Sequence, residues 1–447
     1  MSFLHYFTDP VLFAPTVGSM LMCFAASLVG ALVFLRKQSL LGEALSHAAY
    51  PGVVFGVIIC GFLSFDEKSE LLIAFCIMGG GGASALLGLL AITFLERKMK
   101  VASDSALCFV LSSFFGIGLT VASQVQFSYS TLYQQIQVYL YGQAATMTDI
   151  HVKIYAILSL GVLLVIIMFY KEILAIAFDR PFAKGIGVNT RAIDALTFLL
   201  IVAAVVIGIR SVGVVLMSAM LIAPAASARQ FTNKLSFLFA IAAFFGLLSG
   251  FFGNYLSNEL TTYYQMLAPK EQLTFPTGPM IVIVASLLCL LSLLFSPKRG
   301  LILKVLKVAH FKYRCTCENV LKALWRQNHE NIAPLDSQKR KTFPHILPFY
   351  LRFILWRLKQ NGSVQKTALG YTLTREGDLF ACRIIRLHRL WEVYLVDYIG
   401  IGAERVHRSA EEIEHILTPE IEKELEALLK SPTYDPHQQP IPRSTLL

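Results

Sequence analysis

Two kinds of side chain recur at a spacing that suits one chemistry. Glu43 and His47 lie in the apolar half of the chain; near its end come His388 and Glu392, then His407, Glu411, Glu414 and His415. A separation of four residues puts a carboxylate and an imidazole on one face of a helix. The last four residues, at offsets 0, 4, 7 and 8, form a single helical stripe. Imidazole with carboxylate and no thiolate suits Mn²⁺ or Fe²⁺ and also accommodates Zn²⁺. A plainer reading stands beside each group. Glu43 and His47 would cap a helix end in water, and the C-terminal stripe would be an acidic solvated face with incidental histidines.

The elements that must position these residues differ sharply between the two halves. The 447 residues are 55% hydrophobic and 15% charged, but that average conceals a break near Ser296–Lys298. Residues 1–297 hold 15 Lys/Arg and 13 Asp/Glu, a net charge of +2; residues 298–447 hold 24 and 16, a net charge of +8. The first part is too apolar for a soluble domain and reads as a polytopic membrane protein, whereas the second is long enough for one modest soluble domain. Apolar runs near 11–35, 44–64, 71–95, 105–124, 153–170, 194–210, 212–228, 235–256 and 278–295 are the spanning candidates. The run 212–228 is short and contains Pro224, which allows a half-helix or a re-entrant segment. Gly79 to Gly82 imply close helix packing or a break. The first run ends in Arg36-Lys37 rather than a small-residue cleavage site, so no cleavable signal peptide is expected.

Arg36/Lys37, Arg97/Lys98/Lys100, Lys171/Arg180/Lys184/Arg191, Arg229/Lys234 and Lys298/Arg299 are expected on one, cytoplasmic, side. The alternation holds only if 212–228 crosses, which puts the N-terminus outside. Within the tail, residues 298–390 carry 19 basic and 5 acidic groups, and residues 391–447 carry 5 and 11. A basic lobe before an acidic one suits a nucleic-acid reader joined to a cation sensor, or a juxtamembrane region held near anionic lipid. Of the eight cysteines, five lie in apolar runs as small hydrophobes, and Cys315-x-Cys317 alone is a short donor set.

A further polar element, Phe178-Asp179-Arg180-Pro181-Phe182-Ala183-Lys184-Gly185, falls in an expected cytoplasmic loop, where a short helix ending at Gly or an ordinary solvated loop would fit. Together with Gly42-Glu43-Ala44-Leu45-Ser46-His47-Ala48 and the stretch Ser211 to Ala226, it resembles the permease subunits of ATP-binding-cassette importers for manganese, zinc and iron, the ABC-3 family, over about residues 5–296. The resemblance implies Glu43 and His47 on the metal path. It implies a coupling helix from Phe178 to Val188, with Phe178, Asp179, Arg180, Pro181, Phe182, Ala183 and Gly185 meeting an ATPase. Many relatives have Asp where this chain has Glu43. Since no phosphate-binding Gly-x-x-x-x-Gly-Lys-Ser/Thr occurs, ATP hydrolysis is expected from a separate cytoplasmic subunit. An extracytoplasmic metal-binding protein and a second permease subunit are implied as further partners.

Over roughly 310–442 the tail resembles the metalloregulators typified by the diphtheria toxin repressor and the manganese transport regulator. The shared residues are Tyr371-Thr372-Leu373-Thr374-Arg375-Glu376-Gly377, Arg386 to Glu392, Asp397-Tyr398-Ile399-Gly400, Val406-His407 and Glu414-His415. The resemblance implies a primary site of His388, Glu411, Glu414 and His415, and a second site of His388 or His407 with Glu392. Glu411 stands where iron-type members have Cys. The first-helix ligand finds its nearest match at Asn319, beside Glu318. A winged helix-turn-helix is implied, with a first helix over 315–328, a recognition helix over 344–360 and a wing over 362–373. Arg352, Arg357, Lys359 and Lys366 would then face DNA. The apolar residues of that segment, Phe349, Tyr350, Leu351, Phe353, Ile354, Leu355 and Trp356, allow the plainer reading that they are only core.

The fold expected is therefore an all-α polytopic membrane domain of eight or nine transmembrane helices over 1–297. After it come a mostly α winged helix-turn-helix over 298–375 and a helical metal-binding and dimerisation region over 376–447, with helices at 379–398 and 403–417. The functional reading is the permease of an ATP-driven divalent-metal importer in a bacterial inner membrane, its cytoplasmic tail a homodimeric, metal-dependent repressor acting on operator DNA. A tail that gates transport without touching DNA is the main alternative, and a metal/proton secondary transporter is a third. The Lys/Arg-rich junction leads to an expectation of proteolytic release near 298–340.

Overall fold

Apolar runs that must satisfy every backbone amide internally become helices, and the first three hundred residues do so almost without interruption. The structure, a computed structural model, describes residues 3–62, 70–268, 274–329, 346–368, 370–413, 415 and 418–442. Two compact units divide at Leu303 and Lys304.

In the first unit the helices are α1 (His5–Thr8), α2 (Pro10–Leu35), α3 (Ser39–Phe62), α4 (Glu70–Arg97), α5 (Ser103–Ser128), α6 (Ser130–Tyr141), α7 (Asp149–Met168), α8 (Tyr170–Phe178), α9 (Arg180–Gly185), α10 (Thr190–Val212), α11 (Met217–Phe231), α12 (Leu235–Leu267) and α13 (Thr277–Phe295). Among the described residues, eight helices are long and apolar enough to cross a membrane: α2, α3, α4, α5, α7, α10, α12 and α13. Helices α2 and α3 are innermost, 72% buried along their apolar windows, against 22% for α4, whose outward side chains (Leu87, Leu90 and Phe94) are apolar and exposed. An apolar outer wall is what a lipid solvent requires. The glycine run does not break α4. Gly80 packs on α3, where a Cβ on Gly52 would lie 2.1 Å from the Gly80 carbonyl oxygen.

Contacts gather at two ends of this bundle. At one, the Tyr6 hydroxyl donates to Glu259 at 3.2 Å, and a Cβ on Gly278 would lie 2.9 Å from the carbonyl oxygens of both Tyr141 and Val212. At the other, Arg36 donates to Asp194 at 3.0 Å, the Ser296 hydroxyl donates to the Gln230 carbonyl at 2.6 Å, and Arg299 donates to Asn233 at 2.8 Å. Helix α13 thus starts beside Val212 and ends beside Gln230. The segment 213–231, with α11 as its helical part, runs between the same two ends, as the expectation for 212–228 requires. At 15 residues α11 is nonetheless too short to count as a spanning helix by itself.

The second unit begins within α14 (Leu301–His329) and continues through α15 (Pro348–Gln360), the hairpin β1 (Val364–Thr367) and β2 (Gly370–Leu373), α16 (Arg375–Asp397), α17 (Ala403–Ile413) and α18 (Pro419–Leu428). The strands are antiparallel, with Val364 opposite Leu373 and Thr367 opposite Gly370. Val320, Leu321, Leu324 and Trp325 of α14 close one core with Leu351, Ile354, Leu355 and Leu358 of α15, the hairpin's Val364 and Leu373, and Ala381 and Ile385 of α16. Farther along α16, Leu390 and Val393 form a smaller core with Leu425 and Ile441.

Several boundaries differ from expectation, and the largest shift is at α14, which starts at Leu301 instead of 315. Helix α16 starts four residues before Leu379 because Thr374 caps it, accepting from the Gly377 amide at 3.1 Å. Helix α15 starts at Pro348 instead of 344, and residues 344–345 lie outside the described residues. The described part of α17 ends at Ile413, so His415 sits in a turn rather than on the expected helical stripe; residues 414, 416 and 417 lie outside the described residues.

Candidate metal sites and their surroundings

Glu43 and His47 lie in the second and third turns of α3, which starts at Ser39. His47 is 7% exposed, so it is not a cap in water. Its ring meets Phe115 of α5 edge-on with centroids 4.6 Å apart, and its buried Nδ1 has no hydrogen-bond partner among the described residues. One turn further the Tyr50 hydroxyl is likewise buried without a partner among the described residues, its ring packed on Gly118, where a Cβ would lie 2.6 Å away. Uncommitted buried polar atoms are costly to a fold. Two of them on one face of α3, beside a half-buried carboxylate, suit a cation that arrives and leaves.

The Phe178 to Gly185 segment forms the ends of two helices at the basic end of the bundle. Asp179 breaks the chain between α8 and α9 and caps α9, accepting from the Phe182 amide at 3.0 Å, while Pro181 occupies the first turn, where no amide is needed. Gly187, at φ +87°, ends the turn. Phe178, Phe182 and Ile186 are exposed and Ala183 is buried. Arg180 pairs with Asp194 of α10, which also holds Arg36 of α2. Sequence reasoning missed this clamp; its signal was a lone Asp one turn into an apolar helix.

In the tail, His388 and Glu392 face each other across one turn of α16, with Nε2 and Oε1 3.2 Å apart and both side chains buried. His415 reaches back to α14, where its Nδ1 lies 2.5 Å from Glu318 Oε2. Arg314 donates to the other Glu318 oxygen at 2.8 Å. Burial works to raise the Glu318 carboxyl, but the hydrogen bonds from His415 and Arg314 outweigh it and hold the group below its ordinary value. The first-helix residue facing His415 is therefore Glu318, not its neighbour Asn319. Glu411, half exposed, lies 3.8 Å from the ammonium of Lys322, which is itself only 5% exposed. Lys322 was missed from sequence. Its place on the stripe of Glu318, Leu321 and Trp325, which faces the core, was the available signal.

These donors fit a divalent ion by chemistry, as two ready-made imidazole–carboxylate pairs. Among the described residues no three His, Cys, Asp or Glu gather into one ligand cluster. Glu414 and the His407 side chain lie outside the described residues.

On α15 the apolar residues divide. Leu351, Ile354, Leu355 and Leu358 are core, while Phe349, Phe353 and Trp356 are exposed beside Arg352, Arg357 and Lys359. The expectation that Phe349, Phe353 and Trp356 serve as core is thus corrected: they share the solvent face with the cations. Lys366 is exposed on β1.

Residues 8–296 match the model of the ABC 3 transport family. The chain belongs to the ABC-3 family. Residues 374–443 of this ABC-3 protein match the iron-dependent repressor metal-binding and dimerisation domain, so the membrane permease carries a repressor-type domain at its C-terminal end. A "probable metal transport system membrane protein" of Chlamydia pneumoniae is 39% identical over 98% of both chains. The manganese transport system membrane protein MntC of Bacillus subtilis is 34% identical over 85% of this chain and 82% of its own. Among solved structures, PsaBC from Streptococcus pneumoniae in complex with Fab matches with a TM-score of 0.55 and 26% identity, covering 66% of this ABC-3 chain and 96% of that one. The protein is a multi-pass metal-transport permease and not itself an enzyme.

Proposed function

We propose that residues 8–296 carry Mn²⁺, Fe²⁺ or Zn²⁺ across the inner membrane and that the tail is a dimeric, metal-dependent repressor of uptake genes. The cargo ion would dwell briefly between the Glu43 carboxylate and the uncommitted His47 imidazole. A cytoplasmic ATP-binding subunit would seat on Phe178, Phe182 and Ile186, with Asp179, Arg180, Pro181, Ala183 and Gly185 shaping the helix it meets. An extracytoplasmic metal-binding protein would deliver the ion at the opposite end, and a second permease subunit would complete the pathway. The basic end, with Arg36, Lys37, Arg97, Lys98, Arg180, Arg229 and Arg299, would face the cytoplasm.

The buried His388–Glu392 pair carries the sensing half of this reading. It sits on α16, the helix shared by the reader's core and the C-terminal core, so whatever fixes that pair also fixes the reader. A bound divalent ion would supply the positive charge that holds carboxylates of α14, α16 and α17 together. Arg352, Arg357, Lys359 and Lys366 would then grip the phosphates of operator DNA.

A gel-shift assay on the released tail tests this reading. Retardation that needs Mn²⁺ or Fe²⁺ and weakens with salt supports the repressor. No retardation in any metal condition favours a tail that only gates transport, and retardation indifferent to metal contradicts a metal-dependent repressor. Release itself is expected from proteolysis at the Lys/Arg-rich junction within 298–340. Immunoblots with a tail antibody that find only the full-length chain in every metal condition would contradict it.

A further inference from the structure

Helix α14 has two halves of different character. From Tyr313 onward it builds the reader's core. Its first twelve residues, Leu301 to Lys312, are all exposed. Within them Leu301, Ile302, Val305, Leu306, Val308 and Ala309 lie on one side of the helix, with Lys312 among them at its end, while Lys304, Lys307 and His310 lie on the other side together with Leu303 and Phe311. Val305 and Leu306 are each 57% exposed. No soluble protein gains from such a stripe left in water.

The chain puts this stripe beside the bilayer. Helix α13 ends at Phe295, and the Gly300 amide donates to the Ser296 carbonyl at 2.8 Å, so Leu301 follows the last spanning helix through one tight turn. A side chain on Gly300 would collide with the Ser296 carbonyl oxygen at 2.3 Å, so the turn needs glycine. Arg299, held by Asn233, adds a cation just after α13.

We propose that residues 301–312 lie in the headgroup layer of the membrane, with the apolar arc in the acyl boundary and Lys304, Lys307 and His310 on anionic phospholipid. The length, the charge and the direct continuity with a spanning helix all match an in-plane amphipathic helix. The segment is a second tether, independent of the covalent link to α13. A cut between Ser296 and Gly300 would leave the tail on the membrane, and a cut after residue 329 would strip Leu321 and Trp325 from the reader's core. A release site that frees an intact reader must therefore fall within about residues 309–312.

The inference does not depend on DNA or metal binding, so its failure is distinguishable from theirs. The test uses the full-length protein in nanodiscs with and without phosphatidylglycerol, carrying a photo-reactive benzoylphenylalanine as Val305→Bpa or Lys307→Bpa. Irradiation should give lipid adducts severalfold more abundant from position 305 than from 307. Omitting phosphatidylglycerol should lower that yield severalfold, and adding Lys304→Gln and Lys307→Gln to the Val305→Bpa chain should lower it by roughly fivefold per lysine removed, from the usual worth of a Lys or Arg near an anionic surface. Adducts to protein alone, whether a second copy or another subunit, would overturn the proposal, as would equal lipid yields from the two positions. A second measurement guards against a poorly folded variant. A protease site inserted after Arg299 in the otherwise native chain should leave the cut tail sedimenting with membranes; a tail found wholly in the soluble fraction would contradict the tether.

Discussion

The two halves of the molecule use the same pair of side chains at the same spacing and finish them differently. In α3, Glu43 precedes His47 by one turn, and the imidazole Nδ1 is left buried with no partner among the described residues. In α16, His388 precedes Glu392 by one turn, and the two close on each other at 3.2 Å. On the proposed reading, a site on a transport path must release what it binds, which suits uncommitted ligand atoms. A sensing site would have to hold its ion long enough to alter a neighbouring element, which suits donors oriented by packing and by each other. The surroundings follow the same division, with an aromatic wall at His47 and ion pairs around Glu318 and Glu411.

The sharpest way to break this comparison is to remove one imidazole at a time. His47→Ala should abolish uptake of radiolabelled Mn²⁺ in cells while leaving metal-dependent retardation of DNA by the tail intact; His388→Ala should do the reverse. Either variant abolishing both activities would show the two sites to be one functional unit. Next in size, Asp194→Ala should free Arg36 and Arg180 and uncouple α9 from the bundle. Uptake should fall severalfold with normal membrane insertion and normal tail binding, and unchanged uptake would remove the clamp from the account. A smaller effect is expected at Lys322, whose ammonium already supplies a positive charge beside Glu411. Lys322→Gln should tighten Mn²⁺ binding to the tail by roughly tenfold, well under the ~4 kcal/mol Coulomb limit for unit charges 4 Å apart at an effective dielectric of 20. Weaker binding in that titration would mean that the lysine supports the site.

The smallest effect concerns pH. Glu318 is held below its ordinary value, so its contribution to stability is fully present above the unfolded carboxyl value of 4.5 and is lost as pH falls through the folded value. The melting temperature of the tail should be flat near neutrality and decline from about pH 4.5 downward. Glu318→Gln should flatten that decline, and an identical decline in the variant would place the acid sensitivity elsewhere.

Much of this arrangement was legible in the residues. Apolar length marked the spanning helices because lipid leaves the backbone no other partner. The i,i+4 pairs stood out because their side chains are rare in such surroundings. What escaped was tertiary. That Glu318 rather than Asn319 faces His415 depends on which side of α14 the reader's core occupies, and spacing within α14 alone does not set that. The exposed Phe349, Phe353 and Trp356 defeated the rule that aromatic residues go inside, because α15 buries a stripe of Leu and Ile instead. The Arg36–Asp194–Arg180 clamp joins residues 158 positions apart, beyond the reach of any local pattern.

The central claim is that the tail holds the tight, regulatory metal site and the membrane body only a transient one. Equilibrium dialysis of the full-length protein against Mn²⁺ tests it most directly, comparing the native chain with a Glu43→Ala/His47→Ala chain and a His388→Ala/His415→Ala chain. Tight binding should survive the first pair of substitutions and vanish with the second. Tight binding that persists in the His388→Ala/His415→Ala chain would contradict the account.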